Sequence, residues 1–315
     1  MRWPAALPCL ALLAGCATPA TPPSLLIFGE QHDQPDQQRQ VADAVHELAA
    51  RGALAAVVLE MADRGRDTQR LPRSATPESV REALGWTGWP WPAYAAVVMN
   101  AVAAGVPVIG GNTPRAGNRA AMADATLDSQ VPDRVREQLA DAVRSGHCGL
   151  LAPDQEVGMV RVQIARDLSL ASTAAAALAA AAPGQRVLML TGAQHASRDR
   201  GVPVHLAPGT RLHVVMFGPS DGPGLQADER RDAVVTPRAD PCEGLRERLR
   251  KDQKRSPTQP ATEASAAGNA AASVPPAIAR SGLPPPLPPT CLATKLTRSP
   301  ALMRAMLSAV TPAAS

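Results

Sequence analysis

The feature that most constrains this chain is a short apolar run with an abrupt polar end, Leu25-Leu26-Ile27-Phe28-Gly29-Glu30-Gln31-His32. Apolar residues bounded by a Pro-rich stretch before and a polar turn after predict a buried strand. The same grammar returns late in the chain as Val187-Leu188-Met189-Leu190-Thr191-Gly192-Ala193-Gln194-His195. A third run, Ala55-Ala56-Val57-Val58-Leu59, ends in Glu60, and a fourth, Val106-Pro107-Val108-Ile109, leads through Gly110-Gly111-Asn112 to Arg115. In open α/β sheets ligands collect at the carboxyl ends of the strands. Parallel neighbours of this kind would set Glu30, His32, Glu60, Asn112, Arg115 and His195 along one edge, as a polar site on an apolar sheet.

The segments between these runs support an α/β fold: a mostly parallel sheet flanked by helices. Gln37–Ala50 carries Val41, Val45 and Leu48 on one helical face, with Gly52 just past its end. Residues 62–75 are charged and turn-rich and read as a loop. Thr76-Pro77-Glu78-Ser79 opens a short helix, with Thr76 as N-cap and Pro77 at the first helical position. A further helix spans Pro92–Ala104. Arg115–Ala182 reads as mainly helical, interrupted at Gly146-His147-Cys148-Gly149. Its second part, Asp154–Ala182, is one long helix with Arg161, Gln163, Arg166 and Asp167 in its first half and almost only alanine in its second. This excursion is expected to form a helical cap over the strand ends. Val202-Pro203-Val204 and Val214-Val215-Met216-Phe217 complete the predicted sheet.

Both ends of the chain have another character. Arg2, the apolar Ala5–Ala14 and the sequence Leu13-Ala14-Gly15-Cys16 have the form of a lipoprotein signal peptide over 1–15. The apolar part is too short to span a bilayer. Cys16 is then the lipidated first residue, and 16–24 a Thr/Pro-rich tether reaching at most about 27 Å. The folded domain is expected over 25–218. Residues 219–315 are rich in Pro, Ala and charge, with Pro275-Pro276 and Pro284-Pro285-Pro286, and read as a largely disordered tail. Within it Cys242–Lys254 has the spacing of a short helix. Cys148, Cys242 and Cys291 remain after processing, an odd number that leaves their pairing open and resembles no zinc pattern. The net charge of +4 sits largely in the tail and does not imply nucleic-acid binding.

Aromatic residues make up only 2% of the chain, seven in all, and four of them are Trp86, Trp89, Trp91 and Tyr94. Such a concentration suits a large flat ligand, or equally a local apolar cluster that pins the following helix.

The paired Gly29-Glu30-Gln31-His32 and Gly192-Ala193-Gln194-His195, with Leu59-Glu60-Met61 between them, resemble the superfamily of ChaN-like haem-binding lipoproteins, erythromycin esterases, Tiki and TraB proteins. Trp89-Pro90-Trp91-Pro92-Ala93-Tyr94, Gly111-Asn112-Thr113-Pro114-Arg115 and His195-Ala196-Ser197-Arg198-Asp199-Arg200-Gly201-Val202-Pro203 point to its ChaN branch. The resemblance covers roughly residues 24–218 and implies a non-covalent haem protein for iron acquisition at the bacterial outer membrane, facing the periplasm. The residues themselves support this through the aromatic patch and the available ligands. Tyr94, the sole phenol, is the first candidate for the iron ligand and His147 the second. Trp89 and Trp91 would cover the macrocycle, and Arg115 or Arg198 would pair with the propionates.

Two other readings stay open. Glu30, His32, Glu60 and His195 suit a hydrolase, either by acid–base chemistry or with a divalent metal. The same groups also suit a purely structural hydrogen-bond network in a membrane-tethered interaction module. A homodimer and a haem-uptake receptor are further partners left open.

Overall fold

The structure is a computed structural model that describes residues 24–218 and 224–255. The signal peptide, Cys16, nearly all of the tether, and the Pro/Ala-rich stretch after residue 255 lie outside the described residues. Six strands form one sheet: β1 Ser24–Glu30, β2 Leu54–Asp63, β3 Val108–Asn112, β4 Arg186–Gly192, β5 Leu212–Phe217 and β6 Glu229–Arg231. Their order is β3-β2-β4-β1-β5-β6, and every neighbouring pair is parallel.

Both faces of the sheet are covered, which is why its strands read as continuous apolar runs rather than alternating ones. Successive side chains point to opposite faces. Leu26, Phe28, Val57, Leu59, Leu188 and Leu190 face helices α1 (Pro35–Ala50) and α3 (Trp91–Ala104). Leu25, Ile27, Val58, Val187, Met189 and Val214 face the other way. A short helix, α2 (Pro77–Ala83), precedes α3, and Thr76 caps it by accepting from the Ser79 amide, as its sequence predicts. After β3 come α4 (Asn118–Ala123), α5 (Asp133–Gly146) and the 28-residue α6 (Pro153–Ala180).

The long helix has two jobs. Ser169 donates to the Gly111 carbonyl near the end of β3, so that part of α6 stands level with the carboxyl edge of the sheet. Leu170, Ala171, Ala174 and Ala177 then pack on the sheet face. The alanine-rich half is therefore a flanking helix, its small side chains letting it lie close. Only the part before residue 169, with α4 and α5, extends past the strand ends as the expected cap.

The sheet order reverses at β4. The chain leaves β1 through α1 on one face and reaches β2 two places away; it returns from β3 through α6 on the opposite face and fills the gap with β4. Right-handed crossovers in opposite directions demand helices on opposite faces. The carboxyl ends at such a switch point frame a crevice.

Two segments differ from expectation. Val202–His205 is a 3-10 turn, not a strand, in keeping with a proline that has no N–H to give a ladder. The fold also does not stop at Gly218. β6 pairs with β5, and the compact unit that holds the sheet runs on to Arg238. The chain after β6 hydrogen-bonds to the start of α1: Gln34 and Thr236 exchange two bonds, the Val234 amide donates to Asp36, and Arg238 pairs with Asp33. A second unit begins at residue 239 and contains α8 (Pro241–Arg255), where a short helix is expected from the leucine spacing.

Candidate functional site

Three adjacent strand ends build the polar cluster. β1 delivers Glu30 and then His32, β2 delivers Glu60, and β4 delivers Thr191 and Gly192 before turning into α7 (Ala193–Ala196), which carries His195. Glu60 is the hub. Its Oε2 accepts from Thr191 Oγ1 and from the Gly192 amide, both at 2.7 Å. His32 Nε2 lies 3.9 Å from the same oxygen, and His195 Nε2 lies 3.6 Å from Oε1. The two Gly-x-x-His histidines, 163 positions apart in sequence, thus flank one carboxylate. Gly192 is part of the design: a Cβ there would stand 2.9 Å from His32 Nε2.

On the β1 side, Glu30 is buried and fully engaged. Its Oε1 accepts the Tyr94 hydroxyl at 2.8 Å and meets His32 Nδ1 at 2.9 Å, while Oε2 accepts Gln38 Nε2 at 2.6 Å. Tyr94, 0% exposed, is thereby drawn into the network. Burial and then the charge and hydrogen bond of Glu30 push its phenol far above the ordinary value. Trp89 stands edge-on to the His32 ring, with centroids 4.6 Å apart, and Trp86 and Trp91 extend the aromatic wall. The tryptophan cluster therefore does pin α3, and its half-buried members Trp89 and Trp91 also line the neighbourhood of His32.

On the other side, Asp167 of α6 holds His195, Oδ1 to Nδ1 at 2.7 Å. Burial raises Asp167 above the ordinary carboxylate value, partly offset by His195. Burial opposes protonation of His195, but Asp167 and Glu60 outweigh it and raise its pKa. His32 is likewise raised: burial works against the charged form, and the Glu30 hydrogen bond with the charges of Glu60 and Glu30 overcomes it. Glu60 shows the reciprocal effect. Burial alone would raise it, yet His195, His32, the Gly192 amide and Arg166 hold it at about 2. The cluster is an alternation of acids and imidazoles, Asp167–His195–Glu60–His32–Glu30, each fixed by its neighbours.

The remaining residues singled out from sequence are spread around this core. Asn112, buried at the end of β3, donates to the Glu60 carbonyl at 3.0 Å and so braces the hub through its backbone. Arg115 lies exposed in a 3-10 turn at 115–117, near enough to Arg166 for their charges to repel. Arg198 pairs with Asp228 and donates to the Leu212 carbonyl, which ties the loop after α7 to the start of β5. His147 caps α5, buried, with Nδ1 2.8 Å from the Val143 carbonyl; next to it Cys148 has a positive φ and is disulfide-bonded. Four participants carried no assigned role in the sequence: Gln38, Thr191, Arg166 and Asp167. The Arg166-Asp167 pair had a signal, two charges ahead of an alanine-rich half-helix; Gln38 looked like any polar helix residue.

The cluster supplies buried proton donors and acceptors beside an aromatic wall. Among the described residues no group of three or more His, Cys, Asp or Glu is arranged to hold a metal ion.

The fold is similar to that of ChaN of Campylobacter jejuni, whose structure is described as showing cofacial heme binding. The TM-score is 0.53 at 20% identity, covering 62% of this chain and 82% of that one. No curated protein matches the chain. The family model described as haem-binding uptake, Tiki superfamily, ChaN matches residues 19–206, more than half of the chain and all of the site, and the chain belongs to this family.

Proposed function

We propose that this protein binds haem non-covalently and serves iron acquisition as a lipoprotein, anchored through Cys16 in the bacterial outer membrane and facing the periplasm. The observation that carries the haem assignment is membership of a haem-binding family over the stretch that builds the site. The half-buried Trp89 and Trp91 offer apolar faces to a macrocycle. Tyr94 fits poorly as an iron ligand: its oxygen is sealed in the core and donates to Glu30, so ligation would have to break that bond and ionise a phenol held neutral. His147 fits better. A ring N–H at Nδ1 donating to the Val143 carbonyl leaves the lone pair on Nε2, the arrangement that backbone carbonyls commonly impose on metal-binding histidines. Haem would supply the redox and iron chemistry; the chain would supply apolar faces and the His147 Nε2 lone pair.

Hemin titration followed by absorbance tests this. Wild type should develop a Soret band that Tyr94→Phe retains and His147→Ala loses or shifts. A spectrum unchanged in His147→Ala and lost in Tyr94→Phe returns the ligand to the phenol, and no binding by wild type removes the haem reading. The anchor rests on the Leu13-Ala14-Gly15-Cys16 sequence followed by the non-acidic Ala17. Cys16→Ser should leave the membrane fraction and lack the mass of the lipid.

The Asp167–His195–Glu60 chain supports a second reading, hydrolysis by acid–base chemistry. Ester and peptide turnover lost in Glu60→Gln and insensitive to chelator is the result it requires.

A further inference from the structure

Arg166 presents an energetic problem. It sits in the first half of α6, partly open to solvent, with its Nε buried and without a hydrogen-bond partner among the described residues. A guanidinium has five N–H donors, and a buried donor left unpaired is costly, more so when charged. The nearby acids attract it but do not bond it. Glu60 Oε2 is taken by Thr191 and Gly192, Asp167 Oδ1 is taken by His195, and Asp167 Oδ2 itself lacks a partner among the described residues. Arg115, from the turn after β3, is close enough for like-charge repulsion with Arg166. A guanidinium with an unpaired buried donor gains when an anion is brought to it, and arginine matches the two oxygens of a carboxylate.

We propose that Arg166 is a carboxylate-binding residue beside the Glu60 site and receives a carboxylate of the bound ligand. On the haem reading, on which this identity of the ligand rests, that carboxylate is a propionate. Arg166 takes the part the sequence assigned to Arg115 or Arg198; the Arg198 guanidinium is held by Asp228.

The test uses the full chain and iron-free protoporphyrin IX, so that iron ligation does not enter, with tryptophan quenching as the readout. Arg166→Gln should weaken protoporphyrin IX by roughly 10- to 100-fold, the value of a hydrogen bond to a charged group. The same variant should leave the porphyrin dimethyl ester, which has no carboxylates, unchanged. Arg166→Lys, which keeps the cation, should fold as wild type does and lose several-fold on the free acid alone; it carries the test if the glutamine variant fails to fold. Equal losses on acid and ester, or no loss on the acid, overturn the proposal. If wild type binds neither porphyrin, the haem reading falls and Arg166 is read from malonate. Malonate should then raise the melting temperature of wild type more than that of Arg166→Gln, and an equal response in both overturns it.

Discussion

Glu60 influences protonation on both sides of the cluster because it lies between the two histidines. Its carboxyl is held at about 2, below the ordinary 4.5, so its stabilisation is complete above pH 4.5 and is lost as pH falls towards 2. The histidines act with the opposite sign. His32 and His195 are raised above 6.5, so their stabilisation is complete below that value and is lost as pH rises through their folded pKa values. Thermal stability should therefore be greatest between about pH 5 and 6.5 and fall on both sides, as a melting series would show. Glu60→Gln keeps the shape and removes the charge. Both histidines should then titrate lower by NMR, and the alkaline fall in stability should flatten; unchanged titrations would mean that the histidines answer to Glu30 and Asp167 alone. Tyr94→Phe should cost about 1.5–3 kcal/mol, the range for a hydrogen bond to a charged group, since the ring keeps its packing and Glu30 loses a donor.

At the scale of elements, the site depends on how closely α7 approaches β1. A Cβ on Gly29 would lie 2.6 Å from Ala196 Cβ and 3.1 Å from Ala193 Cα, so the first glycine of the motif makes room for the helix that carries the second histidine. Gly29→Ala should push α7 outward, cost about 1–3 kcal/mol and loosen the His195–Asp167 contact. Ala196→Gly added to it should recover part of the loss in melting temperature; no recovery would place the strain elsewhere. The strand ends were legible because each apolar run stops at a polar residue, and that pattern alone brings Glu30, His32, Glu60, Asn112 and His195 together. The Thr76 cap and the long helix 153–180 were legible for similar local reasons. What was not legible is relational. Asp167 is one polar residue on a long helix until the helix is laid against β4, and nothing in the sequence shows that the Tyr94 hydroxyl rests on Glu30. Arg198 reads as a free arginine because its partner Asp228 arrives 30 residues later.

At the scale of the molecule, the chain beyond the family-matched span still belongs to the domain. β6 and the stretch to Arg238 bind the loop and helix start that follow His32, through Gln34, Asp36 and Asp33. Apolar periodicity fades after Gly218, which is why this part was not expected: it is held by backbone pairing and polar contacts that leave no hydrophobic pattern. Two chains that both stop before Cys242, one after Arg238 and one after Gly222, isolate its contribution. Losing β6 and these bonds should cost about 3 kcal/mol, so the shorter chain should melt about 6–12 °C lower. Equal melting would show the segment to be dispensable. The late arrival of β4 has a consequence in time. Its place between β1 and β2 stays empty until residues 186–192 have been made, and Thr191 closes on Glu60 across 131 residues. That loop must be closed against chain entropy before Glu60 stands between the two histidines. An emerging polypeptide therefore carries Glu30 and Glu60 as two unconnected acids. The Glu60–His195–Asp167 half of the cluster comes into being in one late event, slow by comparison with the helices that precede it.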